Sequence, residues 1–223
     1  MESPIIKMEG VSKVYHPDHE ALSHVEMEVE KGEFLFLTGP SGAGKTTLLR
    51  LLYCADRPTS GTITIDGVDL STLTRAQVPL LRRKIGVVFQ DFKLLTNRTV
   101  FDNVAVTLEV LGLGREQIER RVREILQVVG LAHRADAYPL ELSGGEQQRV
   151  AIARAVVNRP PVVLADEATG NLDRMRTDEV LELMKELNAR GATVIFATHD
   201  DRLFSHTHHR VLRLEGGRLR EGP

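Results

Sequence analysis

Cysteine, a basic excess and long apolar runs are all scarce in this chain, and each scarcity removes a class of protein. One cysteine, Cys54, stands among 223 residues, so no internal disulfide can form and the composition suits a reducing compartment. Cys54 follows Leu51-Leu52-Tyr53 and reads as a small buried residue. The 29 lysines and arginines are offset by 31 acidic residues, a formal net charge of -2. A general nucleic-acid binder carries a strong basic excess, so no nucleic-acid partner is expected. No stretch approaches the ~20 apolar residues of a membrane span, and Met1–Lys7 lacks the apolar core of a signal peptide. The reading is a soluble chain that another protein must hold if it acts at a membrane. There is no internal repeat and no low-complexity tail. The length suits one large domain, or one domain with an inserted subdomain.

What is present is organised around Gly39-Pro40-Ser41-Gly42-Ala43-Gly44-Lys45-Thr46. This is the G-x-x-x-x-G-K-[ST] pattern of a phosphate-binding loop. The apolar run Phe34–Leu37 precedes it and the helical run Thr47–Leu52 follows, the strand-to-helix context that the motif needs. Glycines let backbone N–H groups turn inward to form an anion-binding concavity. The helix N-terminus adds its positive dipole end. Lys45 would reach the β- and γ-phosphates, and the Thr46 hydroxyl would bind Mg²⁺.

Periodicity organises the rest. Ile5–Glu9 is a strand candidate. Val25, Met27 and Val29 alternate with polar residues, as do Thr62–Ile65 before the turn signal Asp66-Gly67; both read as half-buried antiparallel strands. Ile85–Phe89 and Val162–Ala165 are continuous apolar runs, expected of strands buried on both faces. Between them, Thr99–Leu111 and Arg115–Val129 read as helices, the second stopped by Gly130, with Arg120, Arg121 and Arg123 on its wet side. Further on, Glu179–Leu187 is an amphipathic helix, Ala192–Thr198 a strand, and Val211–Leu214 with Gly216-Gly217 a closing hairpin. The expected fold is α/β: a parallel-sheet core over about 1–90 and 158–223, an antiparallel β-subdomain, and a helical subdomain inserted at about 91–157, all in one domain of residues 1–223.

Two further constellations carry chemistry. The strand Val162–Ala165 delivers Asp166 to the carboxyl end of the sheet, where open α/β sheets bind ligands. Asp166 can hold Mg²⁺, and Glu167, one residue outside, is the natural general base for a water attacking a γ-phosphate. Leu142-Ser143-Gly144-Gly145-Glu146-Gln147 opens another helix, with Ser143 and Glu146 spaced as a capping box. Two glycines in a first turn cost about 1 kcal/mol each. Bare N–H groups there would make a second anion site, for which a single nucleotide has no use unless a second molecule supplies it.

Leu142–Gln147 resembles the signature sequence of the ATP-binding cassette ATPases, and the resemblance covers essentially the whole chain. It implies a RecA-like P-loop NTPase core with an inserted helical signature subdomain, ATP and Mg²⁺ as ligands, and ATP hydrolysis. Tyr15 matches the aromatic that stacks on adenine. Gly39, Pro40, Ser41, Gly42, Ala43, Gly44, Lys45, Thr46 and Thr47 match the nucleotide-binding Walker A segment. Gln90 matches the Q-loop, Asp166-Glu167 Walker B with the catalytic glutamate, Asn171-Leu172-Asp173 the D-loop, and His199 the switch histidine. Gln90 ends a buried strand, where it can ligate Mg²⁺ or position water; His199 could donate to the γ-phosphate. In that family two cassettes sandwich two ATP molecules head to tail, which would bring Ser143, Gly144, Gly145 and Glu146 of one copy onto the nucleotide of the other. An ATP-dependent homodimer is therefore implied.

Val78–Leu95 and Arg98–Ala105 resemble the cell-division branch of the family. That implies a peripheral subunit on the cytoplasmic face of a bacterial inner membrane, held there by an integral membrane partner resembling FtsX, with the segment after Gln90 in contact with it. The alternatives are the ATPase of a lipoprotein-release or MacB-like exporter, a nucleotide-gated scaffold with little hydrolysis, and a soluble cassette of DNA repair or translation. One departure stands out: Ala168 occupies the position where the family usually has proline. A less rigid turn at Glu167, and modestly altered hydrolysis, are expected from it. His206, His208 and His209 read as a solvated cluster rather than a metal site. Arg82-Arg83-Lys84 reads as a solvated face, or one that meets anionic lipid.

Overall fold

The architecture comes from a computed structural model that describes residues 3–16, 19–205 and 207–222. In chain order it forms β1 (Ile6–His16), β2 (His19–Val29), β3 (Phe34–Thr38), α1 (Lys45–Leu52), β4 (Ser60–Ile65), β5 (Val68–Asp69), α2 (Val78–Arg82), β6 (Ile85–Val88), α3 (Val100–Val110) and α4 (Arg115–Val128). These are followed by α5 (Gly144–Val156), β7 (Val162–Asp166), α6 (Arg174–Ala189), β8 (Thr193–Ala197), β9 (Arg210–Glu215) and β10 (Arg218–Glu221).

Alternating residues build an antiparallel sheet of order β2-β1-β4-β5. Met8 lies opposite Met27 on one side and Ile63 on the other, so every second side chain of three strands faces one core. The apolar runs build the second sheet, of order β10-β9-β3-β8-β7-β6. There β9, β3, β8, β7 and β6 run parallel and only β10 returns antiparallel.

The parallel sheet is covered on both faces, and residue parity decides which side chain meets which layer. Phe34, Phe36, Val163, Ala165, Val194 and Phe196 pack with α3, α4, α5 and α6. Their neighbours Leu35, Leu37, Val162, Leu164, Ile195 and Ala197 pack with α1 and the apolar face of the antiparallel sheet. Between β6 and β7 the described residues form the helices α3, α4 and α5 and no strand. Two of the three helix starts have a side-chain cap, Thr99 accepting from Asp102 N and Ser143 from Glu146 N, while α4 follows Gly114 without one.

Several expectations are corrected. β1 continues to His16 and β2 starts at His19, because a left-handed Gly10 and register shifts absorb the breaks in alternation. β6 is an edge strand, and Val87 is only half-buried. α6 starts at Arg174, five residues before the apolar stripe, because the Asp173 side chain accepts from Arg176 N at 3.0 Å and caps it. Cys54 is half-buried, at φ 55 in the turn that ends α1. Tyr15 is exposed. The Arg82 guanidinium turns back onto the carbonyls of Tyr53 and Cys54, at 3.1 and 3.0 Å, rather than standing free in solvent. His208 is exposed, but His209 is half-buried and stacks on Phe34 with ring centroids 4.6 Å apart; His206 lies outside the described residues. Among the described residues no helix is long and apolar enough to cross a membrane.

Candidate active site

Six residues join the end of β3 to the start of α1, and two of them stand where no side chain fits. Gly39, at φ 140, would place a Cβ 2.2 Å from the Leu214 carbonyl oxygen; Gly44, at φ 106, would place one 2.5 Å from that of Ala21. Gly44 caps α1 without a side-chain hydrogen bond, so no capping group claims the first N–H groups of the helix. Pro40, Ser41, Gly42 and Thr46 are exposed, Thr47 is half-buried and Ala43 buried.

Lys45 folds inward from the first turn of α1 and is 5% exposed. Its Nζ donates to the carbonyls of Gly39 at 2.7 Å and Pro40 at 3.2 Å, and pairs with Glu167 Oε1 at 3.2 Å. The other carboxylate oxygen, Oε2, lies 2.7 Å from His199 Nδ1. Beside this chain the Thr46 hydroxyl donates to Asp166 Oδ1 at 3.1 Å.

Register explains why residues 120 positions apart meet. Leu37 and Asp166 both lie opposite Ala197, so β3, β8 and β7 end level and open their carboxyl ends onto one crevice. Burial pushes the Asp166 carboxyl above the ordinary carboxylate range against the pull of the Thr46 hydrogen bond, and the Glu167 charge adds to the push. Glu167 itself sits at φ 49, a left-handed conformation that costs a non-glycine residue about 1–2 kcal/mol. Its N–H donates to the Ala197 carbonyl at 3.0 Å, and its own carbonyl accepts from Gly170 N at 3.0 Å.

Gln90 follows β6. Its carbonyl accepts from Asn171 Nδ2 at 3.2 Å, and its amide nitrogen lies against Gly170. Tyr15 stands beside α1, its hydroxyl 2.8 Å from Asp56 Oδ2 and 3.5 Å from Thr47 Oγ1. Asp56 and its partner Arg50 are residues that sequence reasoning missed; no motif marks them, and only the fold brings them to Tyr15.

The Ser143–Glu146 turn is built as its spacing predicts. Glu146 Oε2 accepts from Ser143 N and Oγ at 2.8 Å each, and Ser143 Oγ accepts from Glu146 N at 3.4 Å. These bonds hold the Glu146 carboxyl below its ordinary range. Gly145 packs so tightly on Arg176 that a Cβ would sit 2.7 Å from Cδ, whereas one at Gly144 would make only an ordinary contact with Leu172, at 3.9 Å. Among the described residues no hydrogen bond or ion pair joins this turn to the phosphate loop. The two helix starts therefore remain separate within one chain.

A strand-to-helix phosphate loop, a lysine inside it, and paired acids at the end of the neighbouring parallel strand define a P-loop ATPase. The family model described as ABC transporter matches residues 22–170, and the chain belongs to that family, whose ATPase domain binds ATP. It is 50% identical over 218 residues to the cell division ATP-binding protein FtsE of Escherichia coli (strain K12), covering 98% of both chains. It is 47% identical over 215 residues to the FtsE of Streptococcus pneumoniae serotype 2, covering 96% of this chain and 94% of that one. Among solved structures, the ATP-binding cassette MJ0796, a dimer in a post-hydrolysis state bound to ADP and Pi, superimposes with a TM-score of 0.88 at 36% identity, covering 97% of each chain.

Proposed function

We propose that this chain is the ATP-hydrolysing subunit of a bacterial inner-membrane complex acting in cell division, working as an ATP-dependent homodimer with an integral membrane partner of the FtsX kind. The near-full-length similarity to FtsE proteins supports the cell-division reading over an exporter. The whole chain is read as one cassette domain, with residues 91–157 as its helical subdomain.

One arrangement carries the hydrolytic reading: Lys45, Glu167 and His199 in contact, with Thr46 and Asp166 beside them. The triphosphate enters the loop and takes Lys45 Nζ away from its carbonyl and carboxylate partners. Glu167, released, accepts a proton from the attacking water, and His199 donates toward the γ-phosphate. A hydroxyl and a half-buried carboxylate in contact, with the Gln90 amide as a third oxygen donor, make a set of the kind Mg²⁺ takes, so Thr46, Asp166 and Gln90 would hold the ion. When bound, it would neutralise charge on the β- and γ-phosphate oxygens. Tyr15 stacks on the base, and Ser143, Gly144, Gly145 and Glu146 of the second copy close over the phosphates.

The segment after Gln90 is the partner's contact: Asp91, Lys93 and Leu95 occupy it, Asp91 and Leu95 exposed and Lys93 with its side chain 62% accessible. Steady-state ATPase measurement on the wild type and on Glu167→Gln decides the hydrolytic reading. The expectation is a loss of about 10²-fold or more, with ATP binding retained. Equal and negligible rates in both proteins would leave a nucleotide-gated scaffold instead.

A further inference from the structure

On the proposed function, both ends of α1 contribute residues to the nucleotide site. The N-terminal end carries Lys45 and Thr46. At the C-terminal end the chain reverses through Cys54, and Asp56 comes back over the last turn of the helix. Asp56 Oδ2 accepts from Arg50 Nε at 2.8 Å and from the Tyr15 hydroxyl at 2.8 Å. Arg50 belongs to α1, so the carboxylate that holds Tyr15 is itself pinned to the helix that starts in the phosphate loop.

Asp56 is a charge-assisted acceptor. Burial works against its ionisation, yet the hydrogen bonds from Arg50 and Tyr15 hold its carboxyl below the ordinary carboxylate range. Among the described residues, Asp56 makes the shortest hydrogen bond to Tyr15. Tyr15 is 42% exposed. Its closest other polar approach, to Thr47 Oγ1, is 3.5 Å. Lys13 Nζ stands 4.9 Å from the ring centroid and donates to the Arg57 carbonyl at 2.8 Å. The ring thus has an ammonium held on the same turn at one face, and the His19 ring lies nearly parallel to it with centroids 6.5 Å apart.

We propose that Asp56, braced by Arg50, is the positioning residue for the Tyr15 platform, and that it gives the site its preference for a triphosphate carrying a base over a bare triphosphate. The inference rests on the reading of Tyr15 as the adenine platform. An exposed tyrosine free to rotate must be ordered when the base arrives; one fixed beforehand has already lost that freedom, and more of the stacking energy appears as affinity. Because Asp56 hangs from the far end of α1, the same rigid helix sets the spacing between the phosphate cradle and the platform.

The test is equilibrium binding by the full chain of two ligands, ATP and inorganic tripolyphosphate, across single variants. Asp56→Ala and Tyr15→Phe should each weaken ATP binding by about fivefold, the scale of one typical net hydrogen bond, and leave tripolyphosphate binding unchanged. The double variant should be no weaker than Asp56→Ala alone, and Asp56→Asn, which keeps an acceptor of the same size, should recover part of the loss. Parallel weakening of both ligands in Asp56→Ala would make the residue a mere support of α1 and overturn the proposal. So would unchanged ATP binding in Asp56→Ala while Tyr15→Ser binds ATP poorly. If Tyr15→Ser itself binds ATP as the wild type does, the platform reading fails first and the proposal with it.

Discussion

His209 shows how one side chain ties stability to pH. Its ring lies 4.6 Å from Phe34 and 6.3 Å from Phe36, centroid to centroid. Burial, with smaller contributions from Lys185 and His208, pushes its pKa below the ordinary 6.5. The unfolded chain then binds a proton before the folded one does, so stability is full above pH 6.5 and falls as pH drops below it. His209→Gln should flatten that fall, measured as the urea midpoint at pH 7.5 and 5.5; the same pH slope in both proteins would clear His209 of the role. Ala168 acts through its neighbour. Residues before proline are driven out of helical conformations, yet Glu167 is left-handed at φ 49 with Ala168 buried behind it. Alanine is thus less a loss of rigidity than a permit for that conformation. Ala168→Pro should part Glu167 from Lys45, lower the melting temperature and change turnover severalfold. Unchanged turnover together with unchanged melting would refute this.

Among the elements, the segment between β6 and α3 carries the most backbone tension. Phe92 and Lys93 are both left-handed, at φ 58 and 51. Arg154 of α5 holds their carbonyls, donating to Phe92 O at 2.8 Å and Lys93 O at 2.6 Å. Asn103 of α3, fully buried, does the same for the end of the segment, exchanging hydrogen bonds with both backbone groups of Leu95. Arg154→Lys keeps the charge but loses the fork. It should cost about 2 kcal/mol in urea unfolding; a difference within ±0.5 kcal/mol would mean the clamp contributes nothing. At the phosphate loop, Gly39→Ala should abolish ATP binding, because the added methyl meets the Leu214 carbonyl on β9 at 2.2 Å. Wild-type affinity in a calorimetric titration would contradict that close approach. Much at this scale was legible in advance. The phosphate loop, the capping box at Ser143 and Glu146, and the apolar strands each announce themselves within a dozen residues. The start of α6 did not, because its cap, Asp173, stands six residues ahead of the amphipathic run that begins at Glu179 and looks like loop. Neither did the length of β1, whose alternation is broken by bulges.

For the whole molecule, the separation of the helix starts at Lys45 and Gly144 is the consequential fact. Each is well formed, and among the described residues no hydrogen bond or ion pair joins them. On the proposed function, closure between two copies brings them together. Glu167→Gln should therefore dimerise with ATP in light scattering. Ser143→Arg, combined with it, should stay monomeric while still binding ATP. Loss of nucleotide binding by the monomeric Ser143→Arg variant would count against a site shared between two chains.

The sequence by itself determined which residues could carry the chemistry. Phosphate cradling, a general base and a helix cap each require particular side chains at fixed short spacing, and such spacing survives in one dimension. It also set the layers, because continuous apolar runs must be covered on both faces. Only the tertiary structure decided which distant residues meet. The level ends of β3, β8 and β7 place Thr46 on Asp166 and bring Lys45, Glu167 and His199 into one chain of contacts. The turn after α1 places Asp56 on Tyr15. Strand register and chain reversal depend on the packing of the whole core, and no local pattern encodes them.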